Sequence, residues 1–474
     1  METTAAEARE PTPKVMASLM AALDGAMEEL RGSGFDTNEA TALALTNELA
    51  RRWCEAELAR LAATIGAEVQ VDGAHYRRHA TGVGVYHGLC GAMRVRRERY
   101  RRVGVRNGPT LVPLELVAGL VEGATPAFGF SVAQGYAAMP LRHYEQELRA
   151  AHRVPPARAT IERMAKRLGA AMRAAIPRVE PVARAAERVP AAAVAISVGL
   201  DRTSTPMEEA RDAWLPPGPR QRRRAPYRRR VPEPVQVNYR MAYVGTFALH
   251  DAAGAVLVSR RFAATASEGP ADVIARVFAE VAHAQGQRPT LPLAIVQDGA
   301  PELWNLMTAG CARHGITPAV ELIDRYHLDE HIAALLDLVA ATDGCAEILR
   351  RRWAAALDRS DTAIDRIARD LDLLNEALAW NTRAPAHLAP HVRRHVRGAK
   401  SRELSRHIEY IHNHRRRMRY ATAGRAGFPI GSGVTEGACK SMITVRCKRG
   451  GQRWRERGLT ACLALRTQHL NERL

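Results

Sequence analysis

Three acids in this chain stand where strands and helices would present them for chemistry. Asp201 ends the apolar run AVAISVGLD, Asp298 ends LPLAIVQD just before Gly299, and Glu436 follows IGSGVT near the start of a helix. Acids at the carboxyl ends of strands project into the crevice where open α/β folds bind ligands. Carboxylate oxygens suit hard cations such as Mg2+ or Mn2+, which keep open positions for phosphate and water. Two such ions about 4 Å apart bind both the attacking and the leaving oxygen of an in-line phosphoryl transfer. Asp201, Asp298 and Glu436 are therefore expected to act both as metal ligands, for two Mg2+ or Mn2+ ions, and as the catalytic acids. Each acid taken singly is weak, because Asp298-Gly299 also spells a turn and Glu436 also suits a helix N-terminus through the dipole. Their order against the strand pattern carries the reading.

A second tier surrounds them. In IDRYH, Asp324 and His327 are three apart. Asp324 ends the next strand and is a rival for the second acid, while His327 either contacts substrate or serves as a capping or buried structural histidine. Helical spacing predicts Glu436, Lys440 and Ile443 on one face. Lys440 would there meet phosphate or temper the acid, or simply form an i to i+4 ion pair. Arg446, Lys448, Arg449 and Arg453 form a basic run around Trp454. Arginine beside an aromatic ring suits a strand backbone and a splayed base, though Trp454 equally suits a core anchor.

These side chains need a frame. Residues 191–327 read as strand, strand, strand, helix, strand, helix, strand, the first part of a mixed α/β core with its first three strands as a meander. Residues 328–428 read as a helical insertion, and 429–474 return to the core as a C-terminal helix carrying Glu436. Upstream, residues 1–75 read as a helical region with a break near Gly32 to Thr37. Residues 76–178 read as a small β element ending at the turn Asn107-Gly108, followed by short helices. HYEQELRAAHRV and PPARATIERMAKRLGAAM, the latter with Thr160 as cap, form a candidate helix-turn-helix. Its second helix offers Arg158, Arg163, Lys166 and Arg167 to DNA. Val179 to Pro190 reads as a linker, and LPPGPRQRRRAPYRRRVPEP as a Pro- and Arg-rich loop.

The charge agrees with a polyanion partner. The 474 residues carry 69 Lys plus Arg against 50 Asp plus Glu, a formal net charge of +19. Arginine clusters at Arg94 to Arg102, Arg220 to Arg230 and Arg415 to Arg419 suit double-stranded DNA, since each neutralised phosphate releases counterions. Seven cysteines, without a CxxC pair, argue against a disulfide framework or a structural zinc. Cys439 and Cys447 read as buried thiols. With no secretory or membrane-spanning pattern, the expectation is a cytoplasmic, nucleoid-associated protein of two or three folded units.

The blocks GLDRTSTPM, LAIVQDGAPELWNLM, ELIDRYHLDEHI and IGSGVTEGACKSMITVRCKRGGQRW, in this order, resemble the signature blocks of bacterial insertion-sequence transposases of the Kra type, relatives of the Mutator-type enzymes. The resemblance covers roughly Ala191 to the C-terminus. It implies a ribonuclease H-like mixed-sheet core with a large all-helical insertion, preceded by a mainly helical DNA-binding region. It also implies a DDE triad of Asp201, Asp298 and Glu436, an Asp-x-x-His pair at Asp324 and His327, and a homo-oligomer assembled on DNA. In that fold the second acid belongs to the strand beside the first, which favours Asp298 over Asp324. Two features depart from the family: Arg202 follows the first acid where Gly is usual, and RRERYRRVGVRNG lacks the cysteines of a zinc-ribbon-like element. The alternative is a DNA-binding regulator derived from a transposase and lacking catalysis.

Overall fold

The computed structural model describes residues 12–32, 34–210, 235–340, 343–379, 386–388 and 399–474. The Pro- and Arg-rich loop around Arg220 to Arg230 lies outside them. The chain divides into two compact units, Met1–Leu168 and Gly169–Leu474.

The first unit opens with helices α1 (Pro13–Leu30) and α2 (Phe35–Thr64), parted near Gly32 as the sequence predicts. A four-stranded antiparallel sheet follows, in the order β1 (Glu68–Val71), β2 (Ala74–Gly88), β3 (Gly91–Arg102), β4 (Thr110–Leu111). The helical stretch expected over 1–75 is shortened, since strand structure begins at Glu68, and the small β element expected after it is a four-stranded sheet within a region whose described residues are mainly helical. Its cause is visible in β3, where Met93 and Val95 are buried while Arg94 and Arg96 are exposed, the period-2 alternation of a one-sided sheet. Met93 and Val95 pack with Leu58, Tyr86, Leu114 and Leu120 in the unit's core. Helices α3 (Pro113–Val117), α4 (Pro126–Ala138) and α5 (Leu141–Ala150) complete it, together with the first part of α6 (Arg158–Ala186).

Helix α6 corrects two expectations. It begins before Thr160, which sits in its first turn rather than capping it, and it runs through Pro177 and Pro181 across the segment read as a linker. Proline costs an intrahelical bond, and tertiary contacts of the second unit compensate. Glu180, 2% exposed, takes two hydrogen bonds from Arg276 and one of 2.7 Å from Gln468.

The second unit is built on a five-stranded sheet in the order β7 (Val256–Ala264), β6 (Val235–His250), β5 (Ala195–Ala210), β8 (Leu293–Gln297), β9 (Val320–Ile323). The first three are the antiparallel meander; β8 and β9 join in parallel. The second unit is therefore α/β with a mixed sheet. Helices α7 (Ala271–Gln287) and α8 (Pro301–His314) follow β7 and β8, and α8 ends on Gly315 in the left-handed conformation (φ 63°) that glycine tolerates. The segment AVELIDRYH is strand only to Ile323; Asp324 caps α9 (Arg325–Val339), so Arg325 to His327 are helical.

Beyond α9 the described residues are helical: α10 (Asp343–Arg359), α11 (Ala363–Ala379), α12 (Ala399–His414), a 3-10 turn at Arg415–Arg417 and α13 (Tyr420–Arg425). They share one hydrophobic core with the sheet, through Leu328, Leu335, Trp353, Leu371 and Ile411 among others. The C-terminal stretch forms α14 (Gly433–Cys439), a π turn at Lys440–Thr444, the short α15 (Val445–Cys447) and α16 (Glu456–Leu470).

Replacing Glu180 by Ala leaves the Arg276 guanidinium, 7% exposed, with only the longer 3.5 Å contact to Asp272. The expected cost is about 3 kcal/mol, the low end for breaking a buried pair, since Asp272 remains as a weaker partner. Urea denaturation checks it, and a loss below about 1 kcal/mol, typical of an exposed ion pair, would show that the network does not hold α6.

Candidate active site

The two faces of the second unit's sheet are told apart by its glycines. A β-carbon on Gly245 would stand 2.5 Å from the Val273 side chain of α7. One on Gly199 would collide with the Thr435 hydroxyl of α14 and stand 2.7 Å from the Val296 carbonyl. Gly199 therefore lets α14 lie directly on β5, and Thr435 is fixed there by a buried 2.8 Å bond to Thr246. Asp201, two residues along from Gly199, faces α14 as well and accepts the Cys439 thiol at 3.2 Å. Burial and the neighbouring Asp201 push the Cys439 pKa up, so it remains a donor.

Asp201 does not end its strand, as expected, but lies within β5, which continues to Ala210. The position is nonetheless a boundary. β5 pairs with β6 along its length and with β8 only over Ile196 to Val198. Extending the pairing Val198↔Ile295 by three residues on each strand sets Asp201 opposite Asp298. Extending Gln297↔Ile323 by one sets Asp298 opposite Asp324, and the Asp324 amide does donate to the Gln297 carbonyl at 2.9 Å. Parallel neighbours lie about 4.8 Å apart with in-register side chains on the same face. Asp201 lies in β5, while Asp298 and Asp324 each directly follow the last residue of β8 and β9, and continuing the observed register would set the three abreast.

The neighbouring Arg202 points the other way. It pairs with Glu302 of α8, which also accepts the Tyr243 hydroxyl at 3.2 Å. The cation after the first acid is on the opposite face of the sheet from the row.

The three aspartates differ in what holds them. Asp324 is 0% exposed and fully engaged. It accepts the Tyr326 amide at 2.6 Å as the cap of α9, the Ser432 amide at 2.8 Å, and the Ser432 hydroxyl. Burial alone would raise its pKa, but bonds from His327, Ser432 and Tyr326 override it and hold the group at about 2. Asp298 uses Oδ1 for the Ala300 amide at 2.9 Å, and Oδ2 is clear of hydrogen bonds among the described residues. Its carbonyl accepts the Trp304 indole at 2.7 Å.

Glu436 is carried to this row by the Ser432 turn. Through Asp324 the turn is pinned to β9, and the Arg325 amide adds a 3.0 Å bond to the Ile430 carbonyl. Asp324, His327 and Glu436 offer ligand atoms all within 4.8 Å of one another. Neither Asp201 nor Asp298 belongs to that tight group, so the expected triad does not form a closed shell of ligands. His327 is a poor neutral ligand. Its ring lies 3.6 Å from Asp324, an ion-pair contact that raises its pKa to about 9 against the effect of burial, with Asp298 and Glu330 adding. Asp298 and Glu436 each keep an open oxygen among the described residues, whereas Asp201 accepts the Arg202 amide at 2.6 Å on Oδ1 and the Cys439 thiol on Oδ2.

Expectations about the C-terminal segment are partly overturned. The π turn that begins at Lys440 shifts the helical phase beyond it, so Ile443 is buried, while Lys440, whose amide bonds the Glu436 carbonyl one α turn back, is exposed. Arg446 is 1% exposed, its guanidinium 5.0 Å from the Trp454 ring. Trp454, 6% exposed, is stitched to the extension of β5: its amide donates to the Pro206 carbonyl, and its carbonyl accepts the Glu208 amide at 2.7 Å. Neither is free to meet a strand or a base; both are core anchors. Arg449 and Arg453 are exposed, and Lys448 reaches Thr203 Oγ1 at 2.6 Å, on the Asp201 face. Cys439 and Cys447 are buried thiols as expected.

In the first unit, Arg158, Arg163, Lys166 and Arg167 are all exposed on α6. Lys166 pairs with Glu162 at 2.5 Å and Arg167 with Glu122, exposed contacts of little net strength that phosphate can replace. No helix among the described residues is long and apolar enough to cross a membrane.

No protein-family model and no curated protein matches the chain.

The sequence reading missed Ser432, Cys439 and Tyr410. Tyr410 of α12 packs its ring against Gly299, where a β-carbon would stand 2.9 Å from Cζ. It stacks on His331 at 3.7 Å, and its buried hydroxyl has no hydrogen-bond partner among the described residues. Burial, Asp298 and Asp324 push its pKa up. The glycine after Asp298 was the one available signal, since the close approach of a ring demands glycine there.

The ion pair sets a pH window. The raised pKa of His327 contributes stability that is complete below its ordinary 6.5 and is lost as pH rises through about 9. The lowered pKa of Asp324 contributes stability present above 3.8 and lost as pH falls towards 2. In chelator-treated protein, Asp324→Asn is expected to drop the His327 midpoint to 6.5 or below, read from its ring-proton NMR shift and assigned with His327→Gln. An unchanged midpoint would mean that another carboxylate charges the ring.

Proposed function

We propose that this chain is a DDE-type transposase that binds element-end DNA and catalyses phosphodiester hydrolysis and strand transfer. The observation that carries the reading is that Asp298 directly follows β8, the parallel neighbour of the strand holding Asp201, while Glu436 is carried by α14, which packs on that same strand. The strand order, antiparallel meander then two parallel strands, supports a ribonuclease H-like core with 328–428 as its helical insertion. Arg202 no longer counts against activity, since it pairs with Glu302 on the other face.

The donor chemistry fits a hard divalent cation such as Mg2+ or Mn2+: three carboxylates, two with an open oxygen and Asp201 with one held only by the Cys439 thiol, and no neutral imidazole or thiolate among them. Asp201, Asp298 and Glu436 would hold it, and when bound it supplies Lewis-acid stabilisation of the phosphoryl oxygens and a more acidic water. Asp324 is assigned instead as a positioning residue, because its oxygens are spent on Ser432 and the cap of α9. His327, protonated, places a cation beside Glu436 and offsets the charge repulsion among the acids. Lys448, near Thr203 on the Asp201 face, is suited to hold a phosphate. Exposed Arg158, Arg163, Lys166 and Arg167 are assigned to DNA, as are Arg449 and Arg453. The partner is double-stranded DNA, on which copies of the chain would assemble.

Asp298→Asn is expected to lower Mg2+-dependent cleavage of element-end DNA by about three orders of magnitude, the several kcal/mol of charge stabilisation that a metal provides. Binding to the same DNA, measured by gel shift, should stay within about threefold, because phosphate contacts come from arginines elsewhere. Undiminished cleavage would remove Asp298 from the site. Loss in Asp324→Asn that excess Mg2+ cannot restore, with Asp298→Asn active, would transfer its role to Asp324.

A further inference from the structure

The helical insertion contains a cavity that the catalytic reading does not use. It lies between α10 and α11 and encloses about 430 Å³, within the range of small-ligand sites. Its origin is local. Ala355, Ala356 and Ala363 line it, and short side chains at this helix contact leave room that larger ones would fill. The wall is apolar and aromatic, made by Trp353, Leu349 and Leu388. Trp353 is 6% exposed, so the ring is held in the wall and is not a surface group.

The rim is cationic. Arg352, Arg359 and Arg366 line the cavity, and all are exposed. Among the described residues none of the three has an ion-pair partner, whereas Arg325, Arg350 and Arg351 of the same region do. Only residues 360–362 separate α10 from α11, so the helices run antiparallel. Arg359 and Arg366 therefore lie toward the turn, while Asp370, one turn beyond Arg366, lies toward the far end. Asp370 accepts from His387 at 3.0 Å. The end toward the turn thus offers the guanidinium donors of Arg359 and Arg366, and the far end holds the Asp370 carboxylate with Arg352, at the level of the Trp353 wall.

We propose that this cavity binds one nucleoside phosphate unit, its phosphate on Arg359 and Arg366, its base against Trp353, and an exocyclic amine directed to Asp370. Guanidinium forks match phosphate oxygens, and aromatic walls stack bases. The carboxylate repels a second phosphate and favours bases that carry an amine. The unit has two sources, an unpaired nucleotide of a DNA strand or a free nucleotide. The first extends the nucleic-acid reading above; neither requires the DDE chemistry.

The test uses the full chain labelled with 5-fluorotryptophan, followed by fluorine NMR, with Trp353→Phe to identify the Trp353 resonance. The probes are dAMP, dTMP, inorganic phosphate, a short oligo-deoxyadenosine single strand and a blunt duplex. The expected result is a shift of the Trp353 resonance with dAMP or with the single strand, and a weaker response to dTMP. A response to the strand alone assigns the source to DNA; a response to dAMP alone assigns it to free nucleotide. Arg359→Ala with Arg366→Ala, both at exposed positions, should weaken that response by about tenfold or more, the scale of losing charge-assisted bonds to phosphate. Asp370→Asn should erase the preference for dAMP over dTMP. If inorganic phosphate acts as strongly as dAMP, the nucleoside part is overturned. If no probe moves Trp353 while the same protein shifts duplex DNA in a gel, the cavity proposal fails and the DNA reading stands. If dAMP moves Trp353 but no DNA of any form binds, the DNA reading fails and the cavity proposal stands.

Discussion

The bond pair between the buried Asp324 carboxylate and the Ser432 turn is the constraint on which the candidate site depends. Glu436 lies about a hundred residues beyond the parallel strands, past the whole helical insertion. A carboxylate that distant in sequence has no local reason to return to the sheet. Asp324 supplies one, because an acid buried at the end of β9 must find donors, and the Ser432 amide and hydroxyl answer that need. The cost of leaving either side unpaired holds the two ends of the insertion together. The same carboxylate caps α9, so the start of the insertion and its return are fixed by one group.

Contact between α14 and the sheet adds a second constraint. Gly199 removes the side chain that would keep the helix away, and the buried Thr246–Thr435 bond sets its position along the strand. With that contact made, Asp201 meets Cys439 and the π turn begins directly after it. A π turn widens a helix by one residue per turn and is found often where function has taken precedence over regular packing. Here it separates the exposed Lys440 from the buried Ile443.

The insertion also touches the row of acids directly. Tyr410 stands against Gly299 and stacks on His331, which in turn bonds His407 at 2.9 Å. The turn after Asp298 is thus gripped by aromatic groups from α9 and α12. Burial keeps His331 and His407 below their ordinary pKa, so the cluster packs as neutral rings rather than as repelling cations.

What the sequence determined by itself was the periodicity and the chemistry of the elements. The meander, the apolar β8, the helix closing on Gly315 and the helical stretch after it follow from side-chain period and from glycine at a left-handed position. The candidate acids were legible because apolar runs ending in Asp are local patterns. Tertiary structure decided everything that depends on distance in sequence. Thr160 resembled a cap and Val179 to Pro190 a linker, yet buried partners such as Arg276 hold one helix through two prolines. Arg446 and Trp454 looked like a nucleic-acid surface, yet the chain folds back on β5 and buries both. Asp298 and Asp324 were rival candidates, with Asp298 favoured only through the strand order that the resemblance implies. They differ because Ser432, over a hundred residues on from both, spends the oxygens of one and leaves the other open, and no local pattern encodes which acid a distant turn will meet.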